Sequence, residues 1–188
     1  KDFNHFSSDW LLKGSYNKQN ALSAIIAANT IGISPDKSLD SLKRFSGVKR
    51  RFELLGNFNG LVIYDDFAHH PTSIKKTLDD IAELYPDKIV SVSIELRSNT
   101  MRRGIHNDNL LRFMKPLKHV TFLSSPEIAS KIRRHNDFDD ETMHVFDSPN
   151  NLVSYLLSKF SSDVVHVFLS NGDFMGAKEQ VMSKLRKK

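Results

Sequence analysis

Leu61-Val62-Ile63-Tyr64-Asp65-Asp66-Phe67-Ala68-His69-His70-Pro71-Thr72 sets the character of the chain. An apolar run ends in two carboxylates, two imidazoles and a proline. Such a run reads as a short buried strand, then a loop, then a helix opened by Pro71 and capped by Thr72 or Ser73. Behind it, Ile74, Leu78, Ile81, Ala82 and Tyr85 recur at helical spacing. Strand, loop and helix in this order form the unit from which parallel sheets are built.

The same alternation continues downstream. Ile89 to Ile94, Val120 to Leu123, His144 to Phe146 and Val164 to Leu169 read as strands. Leu110 to Met114, Ile128 to Ile132, Leu152 to Phe160 and Lys178 to Leu185 read as the helices between and after them. Upstream, Phe52 to Leu55 and Leu61 to Tyr64 flank Gly56-Asn57-Phe58-Asn59-Gly60, which reads as a hairpin loop. The pattern predicts an α/β domain from about residue 50 onward: a doubly wound, mostly parallel sheet with an N-terminal hairpin.

Before Gly47 the character differs. Residues 17–28 predict a helix that is apolar nearly all round and therefore buried. Ser34-Pro35 opens a second helix with Leu39, Leu42 and Phe45 as its stripe, ended by Gly47. Two helices without a sheet cannot bury their own apolar faces. They are expected to end a preceding domain or to pack onto this one.

Composition removes several classes. The 188 residues contain no cysteine, which excludes disulfides and thiolate metal sites. Net charge is +5, a basic excess that suits nucleotides, phosphates or nucleic acid alike. Part of it lies in the tail Lys184, Arg186, Lys187 and Lys188. No apolar run approaches the roughly 20 residues of a membrane span. The start, Lys1 to His5, leads into no signal-type apolar core. A cytoplasmic protein without membrane contact is expected. There is no internal repeat and no low-complexity stretch.

Ligands of open parallel sheets bind beyond the carboxyl ends of strands. Three polar clusters fall there: Asp65 to Thr72, Glu95 to Gly104, and Ser170 to Gly176. Lys49-Arg50-Arg51 stands at the junction of the two parts. The first cluster is either a capped loop or a site for ribose, metal or phosphate. Arg97 to Arg103 is either a solvated loop or a fork for carboxylate or phosphate. Asn171-Gly172-Asp173 is either a tight turn or a place where a ligand approaches a helix N-terminus. No Gly-Lys dipeptide followed by Ser or Thr occurs, so this sequence lacks the phosphate-cradling loop of an ATPase.

Five stretches, in order, carry a resemblance. They are Gly14-Ser15-Tyr16-Asn17-Lys18-Gln19-Asn20-Ala21-Leu22, Val48-Lys49-Arg50-Arg51-Phe52-Glu53, Tyr64 to Thr72, Arg97-Ser98-Asn99-Thr100-Met101 and Ser170-Asn171-Gly172. Together they resemble the Mur ligases, and Asp65-Asp66-Phe67-Ala68-His69-His70-Pro71 and Arg97-Ser98-Asn99-Thr100-Met101 point to the murein peptide ligase branch. The sequence departs from the family pattern at Tyr16, where histidine is expected, and at Leu96, where proline is expected.

The resemblance implies that residues 1–48 end a central ATP-binding domain and that residues 49–188 form the Rossmann-like C-terminal domain. It implies ATP and Mg2+, the metal held mainly outside this chain. It implies UDP-N-acetylmuramate and L-alanyl-γ-D-glutamyl-meso-diaminopimelate as the groups joined, through an acyl phosphate. The other domains of the ligase are the implied protein partner. Asn17 and Asn20 would meet adenine, Arg51 the phosphates, and Asp66 the ribose, with His69 shaping that loop. Arg97, Ser98 and Asn99 would face the peptide, and Asn171 and Gly172 would line its pocket. No catalytic group and no metal ligand fall on this chain, which is expected to be inactive alone.

Two other classes compete. A metal-dependent phosphoesterase would use Asp65, Asp66, His69 and His70, and would need further Asp or His ligands from other strand ends. A nucleic-acid-binding domain would want aromatic platforms interleaved with Arg or Lys, or a groove-reading helix. Neither set is evident.

Overall fold

The computed structural model describes residues 13–104 and 107–187. The stretch Lys1 to His5 and the last tail residue, Lys188, lie outside these. The chain forms two compact units, one ending at Lys49 and one beginning at Arg50.

The first unit holds helices α1 (Ser15–Thr30) and α2 (Pro35–Leu42). In α1 only Ala21 and Ile25 are buried, and Ile26 is 53% exposed. Among the described residues of this unit, α2 covers one stripe of α1, and the all-round burial expected of the helix is not met within the unit. Ser34 caps α2, its Oγ accepting from Lys37 N at 3.4 Å, with Pro35 in the first turn. The helix stops at Leu42, short of Gly47, because Arg44 N and Phe45 N turn back to Ser41 O and Leu42 O in tight three-residue steps. Phe45 therefore leaves the stripe and is 43% exposed.

The second unit opens with strands β1 (Glu53–Phe58) and β2 (Leu61–Asp66). They pair antiparallel with Phe58 opposite Leu61. The turn is thus Asn59-Gly60 alone, not a five-residue loop. Both have positive φ, 52° and 98°, as a two-residue hairpin turn matched to strand twist requires. Gly56 and Asn57, which resemble turn residues, lie within β1 beyond a register shift between Leu54 and Gly56.

Then follow α3 (Pro71–Leu84), β3 (Ile89–Glu95), α4 (Asn99–Arg102), α5 (Asn107–Met114), β4 (His119–Leu123), α6 (Pro126–Arg133), β5 (Met143–Phe146), α7 (Pro149–Lys159), β6 (Val164–Leu169) and α8 (Ala177–Leu185), the last preceded by a 3-10 turn at Phe174–Gly176. The sheet order is β1-β2-β6-β3-β4-β5. All pairs except β1 with β2 are parallel. The α/β expectation of a mostly parallel sheet with a hairpin is met.

Strand alternation divides the core between two faces. On one face Val62, Tyr64, Val92, Ile94, Val165 and Val167 meet α3, α5 and α6. On the other, Leu61, Ile63, Val164 and Phe168 meet α7 and α8. This second face also carries a polar row. Ser91 Oγ lies 2.9 Å from His166 Nδ1, and Ser93 Oγ lies 2.6 Å from Thr121 Oγ1. Glu95 continues the alternation and ends at the carboxyl rim.

β6 lies between β2 and β3, with Leu169 in register with both Asp66 and Ile94. The segments leaving these three strands therefore start side by side.

Candidate functional site at the carboxyl rim

Asp65 and Asp66 end β2 on opposite faces. Asp65 is 2% exposed, and its Oδ2 accepts from Lys178 Nζ of α8 at 2.6 Å. Burial pushes its carboxyl above the usual range, while Lys178 and Arg50 pull it back. With an ammonium at hydrogen-bond distance, the carboxylate form is the one this geometry suits. Asp66 Oδ2 accepts from Phe52 N at 2.6 Å and its Oδ1 from Ala68 N at 2.7 Å. Burial raises this carboxyl too, opposed by the two amides and by Arg51. Asp66 so fixes the backbone on either side of itself and retains lone pairs for a further donor.

His69 and Arg51 gather on Phe67. The His69 ring stands edge-on to Phe67 at 5.3 Å, its Nδ1 2.9 Å from Phe67 O. The Arg51 guanidinium lies 5.2 Å from the same ring, within cation–π range. Arg51, Asp66 and His69 are therefore brought together.

His70, not Thr72 or Ser73, is the N-cap of α3. Its Nδ1 accepts from Thr72 N at 3.4 Å, and Ser73 Oγ donates to His70 O at 2.9 Å. Pro71 opens the helix as expected. With Asp65 on Lys178, Asp66 on two amides and His70 at a helix end, the four phosphoesterase candidates do not converge. Among the described residues, no three His, Asp or Glu side chains form a group that would hold a metal ion.

On the other side of β6, Gly172 is buried under Glu95 and Arg97. A Cβ there would meet Glu95 Oε2 at 2.4 Å and Arg97 Nη1 at 2.7 Å. Glu95, 6% exposed, accepts from Ser170 Oγ at 2.5 Å and from Phe174 N at 3.1 Å. Gly172 N donates to Ser170 Oγ at 2.6 Å. Arg97 reaches Asp173 at 3.7 Å with both side chains open to solvent. Asn171 Oδ1 is buried with no hydrogen-bond partner. Arg97, Asn171 and Gly172 are thus neighbours. Ser98 caps α4, accepting from Met101 N at 3.4 Å, and Asn99 is exposed in its first turn.

Asn17 and Asn20 belong to the first unit. They lie three apart on α1, with Asn17 Nδ2 donating to Lys13 O at 2.8 Å and Asn20 exposed.

Sequence reasoning missed Arg50, Glu95, Ser170 and Lys178 as builders of this rim. In the sequence Arg50 is one member of a basic run, and Glu95 stands at the start of a polar cluster. The period-two spacing of Ser91, Ser93 and Glu95 was the available signal.

The family model for the Mur ligase glutamate ligase domain matches residues 50–172. Over 181 residues the chain is 32% identical to the UDP-N-acetylmuramate--L-alanyl-gamma-D-glutamyl-meso-2,6-diaminoheptandioate ligase of Escherichia coli K12, covering 95% of this chain and 39% of that protein. A crystal structure of a murein peptide ligase from Psychrobacter arcticus superposes with a TM-score of 0.66 at 33% identity, over 94% of this chain and 38% of that one. The UDP-N-acetylmuramate-alanine ligase of Thermotoga maritima gives a TM-score of 0.77 at 19% identity, over 94% of this chain and 39% of that one, a likeness of fold. The chain spans about two fifths of the length of these relatives.

Proposed function

Because the chain belongs to the Mur ligase family, we propose that it works as the C-terminal part of an ATP-dependent amide-forming ligase joining UDP-N-acetylmuramate to L-alanyl-γ-D-glutamyl-meso-diaminopimelate. The observation that carries this reading is the meeting of three strand-end segments, after β2, β6 and β3, on one rim. In this reading residues 1–48 end the central ATP-binding domain and residues 49–188 form the C-terminal domain.

Asp66, with His69 beside it, takes the ribose, and Arg51 the phosphates. Asn17 and Asn20 take the adenine. Arg97, Ser98, Asn99, Asn171 and Gly172 face the peptide, whose carboxylates suit a guanidinium fork. ATP passes its γ-phosphoryl group to the muramyl carboxylate and leaves as ADP; the peptide amine then attacks the acyl phosphate, forming the amide and displacing inorganic phosphate. Phosphoryl transfer rests mainly on positioning and charge stabilisation, and that is what these residues supply. Mg2+ finds no fitting ligand group among the described residues, so no step on this chain runs through it. The chain is a lid that completes a site built elsewhere.

The test uses the full-length polypeptide containing this chain, with ATP, Mg2+, UDP-N-acetylmuramate and either the tripeptide or L-alanine. Mass spectrometry should find the tripeptide adduct. An alanine adduct alone would move the protein to the alanine-adding branch. Arg97→Lys should raise the KM for tripeptide about tenfold, by losing a bidentate pair, and leave the KM for ATP nearly unchanged.

A further inference from the structure

In the reading above Arg51 serves the nucleotide, and its neighbour Arg50 has no role. Yet Arg50 belongs to both sides of the rim. Its carbonyl accepts from Phe67 N at 2.8 Å, and its N–H donates to Glu53 Oε2 at 2.7 Å. The first bond ties its main chain to the Asp66–His69 segment, and the second ties it to the start of β1. Its side chain crosses to the other segment. Nη2 donates to Ser170 O and to Gly172 O, both at 2.5 Å. The guanidinium also lies 5.2 Å from the Phe67 ring.

The backbone is held in an uncommon state to make this crossing. Arg50 has φ 59° and Phe52 φ 52°. Left-handed conformations at such residues persist only where the surroundings over-determine them. Here Glu53, Asp66 and Phe67 do so.

The anchor also has slack. Arg50 Nε and Asp65 Oδ1 are both buried without a hydrogen-bond partner. Nε lies 3.7 Å from Asp65 Oδ2, an oxygen already held by Lys178. A movement of under about 1 Å would turn this contact into a hydrogen bond. A coupling between two sites requires an element with two arrangements that both sites bias. Arg50 touches both segments, and its unmade Nε contact leaves a second arrangement within reach.

We infer that Arg50 is a positioning residue that couples the nucleotide segment to the Asn171–Gly172 turn, so that filling one side prepares the other. This rests on the proposed assignment of the two sides.

The test is steady-state kinetics on the full-length chain, with ATP varied at low and at saturating tripeptide. In the unmodified protein the KM for ATP should fall as tripeptide rises. In Arg50→Ala that dependence should vanish. The KM for tripeptide should rise about tenfold or more, the scale of a lost charge-assisted contact. The KM for ATP at low tripeptide should change by less than about threefold, which corresponds to well under one charge-assisted bond. Millimolar guanidinium should restore the dependence, and potassium chloride at equal ionic strength should not. A purely structural role would not respond in this way. If Arg50→Ala does not fold, Arg50→Lys decides, and it should weaken the dependence. A folded variant with the dependence intact overturns the inference, as does an unmodified protein that shows none, or a variant in which only the KM for ATP rises. Failure of the unmodified protein to make any tripeptide adduct sinks the functional assignment itself, and the inference with it.

Discussion

A methyl group on Gly172 would sit 2.4 Å from Glu95 Oε2 and 2.8 Å from Arg97 Cδ. Arg97 lies open to solvent and can swing away, whereas Glu95 is fixed by Ser170 and Phe174 N. Gly172→Ala should therefore cost about 1–3 kcal/mol by overpacking, measured by denaturant unfolding of the chain. A change below a few tenths would mean that the turn relaxes freely. His166 gives a second prediction. It is fully buried, and desolvation first, then His119, lowers its pKa to about 3. The unfolded chain thus binds a proton that the folded chain refuses. Stability from this group is complete above about pH 6.5 and falls as pH drops toward 3, by at most about 1.4 kcal/mol per pH unit. His119 and His144, also lowered mainly by burial, act with the same sign. Chemical unfolding between pH 7 and 4 should show the loss, and His166→Gln should flatten it. An identical slope in the variant would place the sensitivity elsewhere. Residue types at the rim were legible, since carboxylates after an apolar run and glycine in a polar turn are visible signals. Their partners were not. Nothing local says that Asp65 finds Lys178, 113 positions away.

Helices and strands show where local signals suffice. Val164–Leu169 was readable to the residue because six apolar or ring-bearing positions are buried on both faces. The hairpin was readable only in kind. Gly56 and Asn57 have the chemistry of a turn, but the tertiary pairing draws them into β1 and leaves Asn59-Gly60 to reverse the chain. That assignment predicts a specific weakness. Gly60 has φ 98°, and a Cβ there would lie 3.0 Å from Ser162 O. Gly60→Val should destabilise the chain by about 1–3 kcal/mol, read as a lower thermal midpoint. Gly56→Ala should cost less, because the Phe58 ring it meets at 2.8 Å belongs to a partly exposed edge strand. Equal losses at the two sites would contradict the two-residue turn. Helix α1 shows the reverse limit. Its apolar composition was plain, but composition cannot say how many neighbours a helix has within its unit.

For the molecule as a whole, strand-helix alternation disclosed the architecture and left the strand order open. Periodicity carries no information on which strands pair, so the insertion of β6 between β2 and β3 was not readable. The absence of a phosphate-cradling loop from these 188 residues gives the prediction at this scale. The purified chain alone should not hydrolyse ATP above a contaminant control, in a phosphate-release assay with Mg2+ present. Turnover that survives further purification would overturn the lid reading.

The position of β6 also bears on how the molecule is made. A ribosome delivers β2 and β3 roughly 70 to 100 residues before the strand that must lie between them, at about 5–20 residues per second. Until Val164–Leu169 emerges, the two earlier strands have facing edges and no shared partner. A nascent chain stalled before Val164, or a frameshift just upstream, would expose both edges together with Ile63 and Val92. Such unpaired edges invite association with other chains. Truncated products should therefore collect in the insoluble fraction or on chaperones, even though most of the sheet has already been synthesised.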